Sequence, residues 1–550
     1  MFMTHFLNHY TLKYTPLSPI HIGADESYEP GNYVIDDEAG ALYSFDSQAA
    51  LAGLSDSDRQ QLLAIVNGKP DDTMLTKVQS FFHNHREKLL AFAKPPIPVS
   101  SGTIRHYLNS VGKTKNREKN GRVINKLEIE RTFFNSANGL PVLPGSSIKG
   151  AIRTAMLDSI NNGQSTRHKK HKDLQEELLG GSFQTDPMRL VLIGDASWQG
   201  NENKPACQVQ FAVNRKREPV EIDGKLLDSS AEKKGLYQLM ECITHEHYQG
   251  FSGSLTLHIT DSINKSAQKL PRKDLHWSIE QIAHACNKFY KTLFEQEISD
   301  MKKHNYLDKG WLTHIEQLFI DRLLKRLDDG EAFLLRVGKH SGGEALTLNG
   351  VRSIRINNQK KKPDTWEKHP KTWWLAADDI ANRTNLLPFG WLLVEIDPKT
   401  PDNRLQNWLE QGNQDLVDWL LRQSAKQNAL KQQAELRQQQ EKEKQLAEQQ
   451  RAEEMRRQQE AEQQRLATLS PIDREVEEFL KPFQQQEHDT RLLQALESGR
   501  WQGEDAKRIA QKIKELMADA GKWLPDFEGT NKQKVKLKQR SLKVLAYLQD

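Results

Sequence analysis

One stretch constrains the fold more than any other: Leu143-Pro-Gly-Ser-Ser-Ile-Lys-Gly-Ala-Ile-Arg-Thr-Ala-Met-Leu157. Pro144 and Gly145 make a turn, Ser146 or Ser147 is a ready N-cap, and Ile148, Ile152, Ala155 and Met156 recur at helical spacing. A helix therefore begins here, buried along that apolar stripe. Its first turn carries unsatisfied backbone N–H groups and the positive end of the helix dipole, with Lys149 and Arg153 four apart on one face. This pattern predicts an anion site, and Gly145 and Gly150 would let a phosphate backbone come close to the main chain. A nucleotide P-loop is excluded, because Gly150 is followed by Ala151-Ile152 and not by Lys-Ser/Thr. A blander alternative stays open on physics alone, with Gly145 and Gly150 as turn and packing residues and Lys149 and Arg153 solvated.

At 550 residues the chain calls for more than one domain. Hydrophobic residues are 37% and mean hydropathy is -0.74, so a large polar segment must exist, and it lies at about 424–467. With a net charge of only +4, any basic surface is local. Cys207, Cys242 and Cys286 sit far apart without a Cys-x-x-Cys pair, which predicts a reducing compartment and no zinc knuckle. There is no run of eighteen apolar residues and no leader-like N-terminus, the pattern expected of a soluble cytoplasmic protein without a membrane partner.

Along the chain, 10–22 reads as a first strand, and Tyr33 to Asp36 with Ala41 to Phe45 as a hairpin. Helical spacing follows at 49–54, 57–66 and 74–92. The stretch 101–131 is a basic excursion, with Arg105, Lys113, Lys115, Arg117, Lys119, Arg122, Lys126 and Arg131 against three glutamates. A second basic cluster occupies 166–172. Strands are expected at 188–197, 207–213, 233–244 and 252–259, helices over 276–328, and further strands at 333–337, 353–356 and 391–396. Residues 424–467 hold strong helix formers with no Gly or Pro and no heptad, which predicts a single polar helix roughly 65 Å long. Ser470-Pro471 then caps a small all-helical tail, 471–550, whose last helix is basic.

Pro144-Gly-Ser-Ser-Ile-Lys-Gly-Ala-Ile-Arg153 resembles the signature loop of the RAMP superfamily, CRISPR-associated proteins that hold guide RNA. The opening segments Tyr14-Thr-Pro-Leu-Ser-Pro-Ile-His-Ile-Gly23 and Tyr28-Glu-Pro-Gly-Asn-Tyr-Val-Ile-Asp36 resemble one branch, the fifth subunits of type III-A (Csm) effectors. Asp186-Pro-Met-Arg189, Gly194-Asp-Ala196, Phe251-Ser-Gly-Ser254, Arg336-Val-Gly-Lys-His-Ser-Gly-Gly343 and Leu387-Pro-Phe-Gly-Trp391 extend the resemblance over about 10–400. It implies an α+β protein of tandem ferredoxin-like (RRM-like) RAMP domains, followed by a long polar helix and a small all-α C-terminal domain. The expected boundaries are 1–260, with a helical insert at about 47–94, then 261–400, 401–470 and 471–550.

The resemblance further implies CRISPR guide RNA as ligand and the other Csm effector subunits as partners, especially the backbone RAMP subunit. Host nucleases and nearby target RNA complete the expected surroundings. Phosphate and ribose contacts are expected from Gly145, Ser146, Ser147, Lys149, Gly150 and Arg153, and from Arg336, Lys339, His340, Gly342 and Gly343, with His21 at the strand end. Tyr28, Tyr33, Phe133, Phe134 and Trp391 are candidate base stackers, with core packing as the alternative for each. Target-cutting relatives carry an Asp where Asn32 stands here, and an amide is no base, so no catalytic residue is assigned. An RNA-processing endoribonuclease using His21 or the acidic residues near Asp36 remains the alternative. His83-Asn-His85 and His245-Glu-His247 lack a third ligand at clear spacing, so neither a metal nor a cofactor is expected.

Overall fold

The computed structural model describes residues 6–549, apart from 30, 69–71, 114–115, 118–122, 125–126, 166–170, 246, 260–269, 357–362 and 411–413. Lys115, Lys119, Arg122 and Lys126 of the first basic stretch, and Arg167 to Lys170 of the second, lie outside the described residues. The architecture is a mixed α/β fold with curled sheets and a long C-terminal helical region. The chain divides into two compact units, 1–435 and 436–550.

The first unit is organised by the strand Leu7–Pro16, whose Leu12 and Tyr14 are fully buried. It lies between Phe251–His258 and Trp391–Ile396, antiparallel to both, with Leu7 opposite His258 and Leu12 opposite Ile396. Ala332–Arg336 extends this sheet on one side, Ala196–Trp198 and Val142–Leu143 on the other. The strand is shorter than the sequence suggests. Pro16 and Pro19 have no N–H for a ladder, so pairing stops and the chain crosses to a second sheet through an Ile20–Ile243 bridge. That sheet runs Gly23–Tyr28, Ile129–Thr132, Tyr237–Ile243, Cys207–Lys216, Thr372–Ala377 and Leu387–Pro388. Each sheet thus draws strands from both sides of residue 260.

Between the sheets' strands, the hairpin Tyr33–Asp36 with Ala41–Ser44 and the helices Ser47–Gly53, Asp56–Val66, Asp72–Asn84 and Arg86–Leu90 form an insert with its own core. The first third of the long helix Gln414–Thr468 is strapped to it. Trp419 and Leu430 pack on that core, Trp419 Nε1–H donates to the Ala39 carbonyl at 2.7 Å, and Lys426 meets Asp36 at 2.9 Å. This explains why the helix starts at Gln414, ten residues before the polar composition begins.

The second unit has a core of its own, in which Val476, Leu480, Leu492, Leu496, Ile509, Ile513 and Val544 are buried. Ser470 caps its helix Pro471–Leu480, accepting from the Asp473 N–H at 3.3 Å, with proline in the first turn. Residues 470–550 produced alone are expected to melt cooperatively by circular dichroism. Ile509→Ala is expected to remove about 2–5 kcal/mol of their stability, the range for truncating a buried Ile.

Candidate nucleic-acid interface

The strand Val142–Leu143 runs through Pro144 into the helix Gly145–Asn161, and Ile148, Ile152, Ala155 and Met156 are buried as their spacing requires. The cap differs from expectation. Pro144 is the N-cap and makes no side-chain cap bond, so Ser146 and Ser147 already lie inside the first turn. Asp195 replaces the serine: its Oδ1 accepts from the Gly145 N–H at 2.7 Å, placing a carboxylate at the positive helix end. Gly145 is required here, since a Cβ would stand 2.4 Å from the Ile193 carbonyl oxygen.

Both cations of the motif are already held. Lys149 Nζ donates to the Val191 carbonyl at 2.8 Å, and burial lowers its pKa even though Asp186 works in the opposite direction. Arg153 pairs with Asp186 at 2.8 Å and reaches Gln175 Oε1 at 3.4 Å. The helix-end anion site is therefore filled by the chain itself. What stays open is one face of the helix. Ser146 and Gly150 are exposed, Ser147 and Thr154 half-exposed, and nothing lies within 4 Å of the position a Gly150 Cβ would take.

The second glycine-rich loop splits in two. Arg336 is only 3% exposed, pairing with Glu297, donating through Nε to the Phe389 carbonyl at 2.9 Å and lying over the Trp391 ring. It belongs to the core and does not form a basic rim. Lys339 and His340 instead meet His21. The Lys339 N–H donates to the His21 carbonyl at 2.8 Å, its Nζ pairs with Glu130 at 2.6 Å, and Gly338, at φ +82, leaves no room for a Cβ, which would stand 2.4 Å from that same carbonyl oxygen. His340 bonds Gln238 Oε1 at 2.6 Å and stacks on Trp374, and Gly342 (φ +80) and Gly343 carry the loop onward.

His21 is fully buried. Its Nδ1–H donates to the Glu241 carbonyl at 2.7 Å, which leaves Nε2 unprotonated, 3.7 Å from Glu130, and burial lowers its pKa. The nearby acidic residues are engaged as well: Asp36 with Lys426, Glu26 with Arg131 at 3.0 Å, and Asn32 closing a turn by accepting from the Glu29 N–H. Of the five candidate stackers, Tyr28, Tyr33 and Trp391 are core residues and Phe134 lies under the Arg131 guanidinium; Phe133, 37% exposed, is the one facing out. The two loops share a backbone relay, in which the Phe133 N–H donates to Ile22 and the Val142 N–H to Phe133.

Sequence reasoning missed Asp186, Glu130 and Glu297, the carboxylates that fix Arg153, Lys339 and Arg336, and Asp195, which caps the helix end. Two of them, Asp186 and Asp195, stand inside the short motifs Asp186-Pro-Met-Arg189 and Gly194-Asp-Ala196, and that was the available signal.

Residues 13–339 match the RAMP superfamily, more than half of the chain. The chain belongs to the RAMP superfamily. It is 22% identical over 425 residues to the CRISPR system Cms protein Csm5 of Methanocaldococcus jannaschii, covering 69% of this chain and 87% of that one. Two solved structures are similar to this RAMP protein over 70% of its length. One is a chain of a Csm-crRNA-target RNA ternary complex from a type III-A CRISPR-Cas system (18% identity, all of that chain, TM-score 0.42). The other is T. onnurineus Csm5 (16% identity, 99% of that chain, TM-score 0.38). No helix among the described residues is long and apolar enough to cross a membrane.

The two motif glycines should respond oppositely to alanine. Gly145→Ala is expected to cost about 1–3 kcal/mol through overpacking, whereas Gly150→Ala should gain about 0.5–1 kcal/mol in a helix interior with open space. Urea melts of the two variants distinguish these signs. The histidines set an acid limit. Burial, then the Lys339 charge, pushes His340 down to about 3, so its stabilising contribution is complete above the unfolded value near 6.5 and is lost as pH falls toward 3. His340→Gln, which keeps a polar partner for Gln238, should make the fall in melting midpoint over that window shallower.

Proposed function

We propose that this RAMP protein is the guide (crRNA)-binding subunit of a type III-A CRISPR RNA-guided interference complex, built on tandem ferredoxin-like modules. In this reading it caps the 3′ end of the guide, stands beside the backbone RAMP subunit of the Csm assembly, and supports maturation by positioning the guide for separate nucleases. It works in antiviral defence in the cytoplasm. The family and the similarity to Csm5 support the RNA class. The observation that carries the site is the open face of the helix Gly145–Asn161: small residues at 146, 150 and 154, flanked by Lys149 and Arg153 held in place by the chain.

A smooth face lets a sugar-phosphate backbone lie close, and held cations lose little side-chain freedom on binding. One ammonium of three donors has spent one on Val191, and Arg153 retains N–H groups beyond those given to Asp186 and Gln175, so both can still reach phosphate. Ser146 and Ser147 hydroxyls are within the same turn for ribose contacts.

Gly150→Leu tests this without disturbing the core. In complexes purified from cells, the variant chain is expected to assemble, and to melt no lower than the wild type, while the guides lose protein or carry ragged 3′ ends on sequencing. Guides of wild-type yield and wild-type ends in Gly150→Leu, and also in Lys149→Gln, would remove this face from the interface.

A further inference from the structure

Away from both loops, an open cleft of ≈ 900 Å³ lies where the strands Cys207–Lys216 and Thr372–Ala377 end together, walled by the hairpin Ile354–Ile356 with Thr365–Glu367 and by residues 218–231. Five cationic side chains line it against Glu218 and Glu367. Three of the five are committed: Arg217 to Asp300 and Glu344, Arg355 to Asp364, and Lys371 to Glu367. Lys216 and Lys368 have no acidic partner among the described residues, one half-buried and the other exposed. Both ammonium groups therefore have donors to give to an anion.

The floor adds an aromatic plane. Trp374 lines the cleft, and its ring is steadied by stacking on His340, centroids 5.0 Å apart and planes 22° apart. Unpaired cations beside an aromatic ring match the alternation of phosphate and base in a single strand. An acidic polypeptide would supply the charge but nothing for the ring, and a duplex would hide its bases.

We infer that this cleft holds a stretch of single-stranded RNA, with phosphates on Lys216 and Lys368 and a base against Trp374. This rests on the RNA-binding reading above, and it adds a second contact surface remote from the helix face.

The test uses the full-length protein with a labelled single-stranded oligouridine, a duplex of equal length, salt titration, and ultraviolet cross-linking with peptide mapping. Lys216→Gln with Lys368→Gln is expected to flatten the slope of log K against log salt by about 1.4, two contacts at about 0.7 each. Trp374→Leu should weaken binding roughly 5- to 150-fold, the range of one stacked base, and duplex should bind less tightly than single strand. Cross-links should map to peptides containing 214–218 and 367–374. If Trp374→Leu fails to fold, the lysine pair and the wild-type cross-links still decide. Wild-type binding with cross-links only elsewhere and an unchanged slope in the lysine variant would overturn the cleft while leaving the helix face standing. Absence of any RNA binding would overturn both. Protection of Lys216 and Lys368 from acetylation by polyglutamate and not by RNA would assign the cleft to an acidic protein segment and overturn the RNA occupant.

Discussion

The pairing of Leu7–Pro16 with two strands that come far later in the chain is the constraint on which the first unit depends. Its end supplies the anchor points for everything else. The Trp311 indole donates to the Leu17 carbonyl, the Trp391 N–H to Ser18 Oγ, the Gly390 N–H to Pro19 and the Lys339 N–H to His21. Four residues, Leu17, Ser18, Pro19 and His21, thus fix the helix Lys309–Leu318, the last strand and the second glycine loop. The two prolines make this possible, because they end one ladder and free the carbonyls of this run for partners from other elements. Such pairings close long loops, so they carry a large entropic cost and form after local helices. The helix Gly145–Asn161 can form early by its own periodicity, but its cap cannot, because Asp195 arrives only when the strand Ala196–Trp198 is in place.

What could be read from the sequence was local. The apolar face of the central helix, the Tyr33–Asp36 hairpin, the Ser470 cap and the strands Ala332–Arg336 and Trp391–Ile396 follow from periods of 3.6 and 2 and from turn chemistry. What could not be read was the partner of each charge. Arg336 sits in a glycine-rich basic stretch, which suggests a mobile rim. Yet it closes a strand whose every residue is buried, and Glu297 reaches it from a helix nearly forty residues earlier. The same holds for Lys149 and Arg153, whose spacing indicated a basic face but not that Val191 and Asp186 had claimed part of it. Aromatic residues failed for a related reason, since Tyr28 and Tyr33 are covered by elements from elsewhere in the chain while Phe133, one residue past a strand end, turns out.

Charge placement also separates contact from chemistry. His21 is fixed in one tautomer by the Glu241 carbonyl, so the bare Nε2 is in the form a general base needs. Its ring has no solvent exposure, so a substrate hydroxyl could not meet it without local rearrangement. To serve as the acid in a second step the ring would have to hold a proton that burial opposes. Glu130 lies close enough to help, but its stronger tie at 2.6 Å is to Lys339, which spends that carboxylate on holding the loop. The arrangement therefore favours His21 as the pin between two loops, with recognition left to the surfaces around it. Those surfaces share a design in which most cations are neutralised inside the fold and only a few donors remain. For the proposed single-stranded ligand, affinity built this way would come from many modest contacts along the strand, and specificity from where the aromatic planes stand between them.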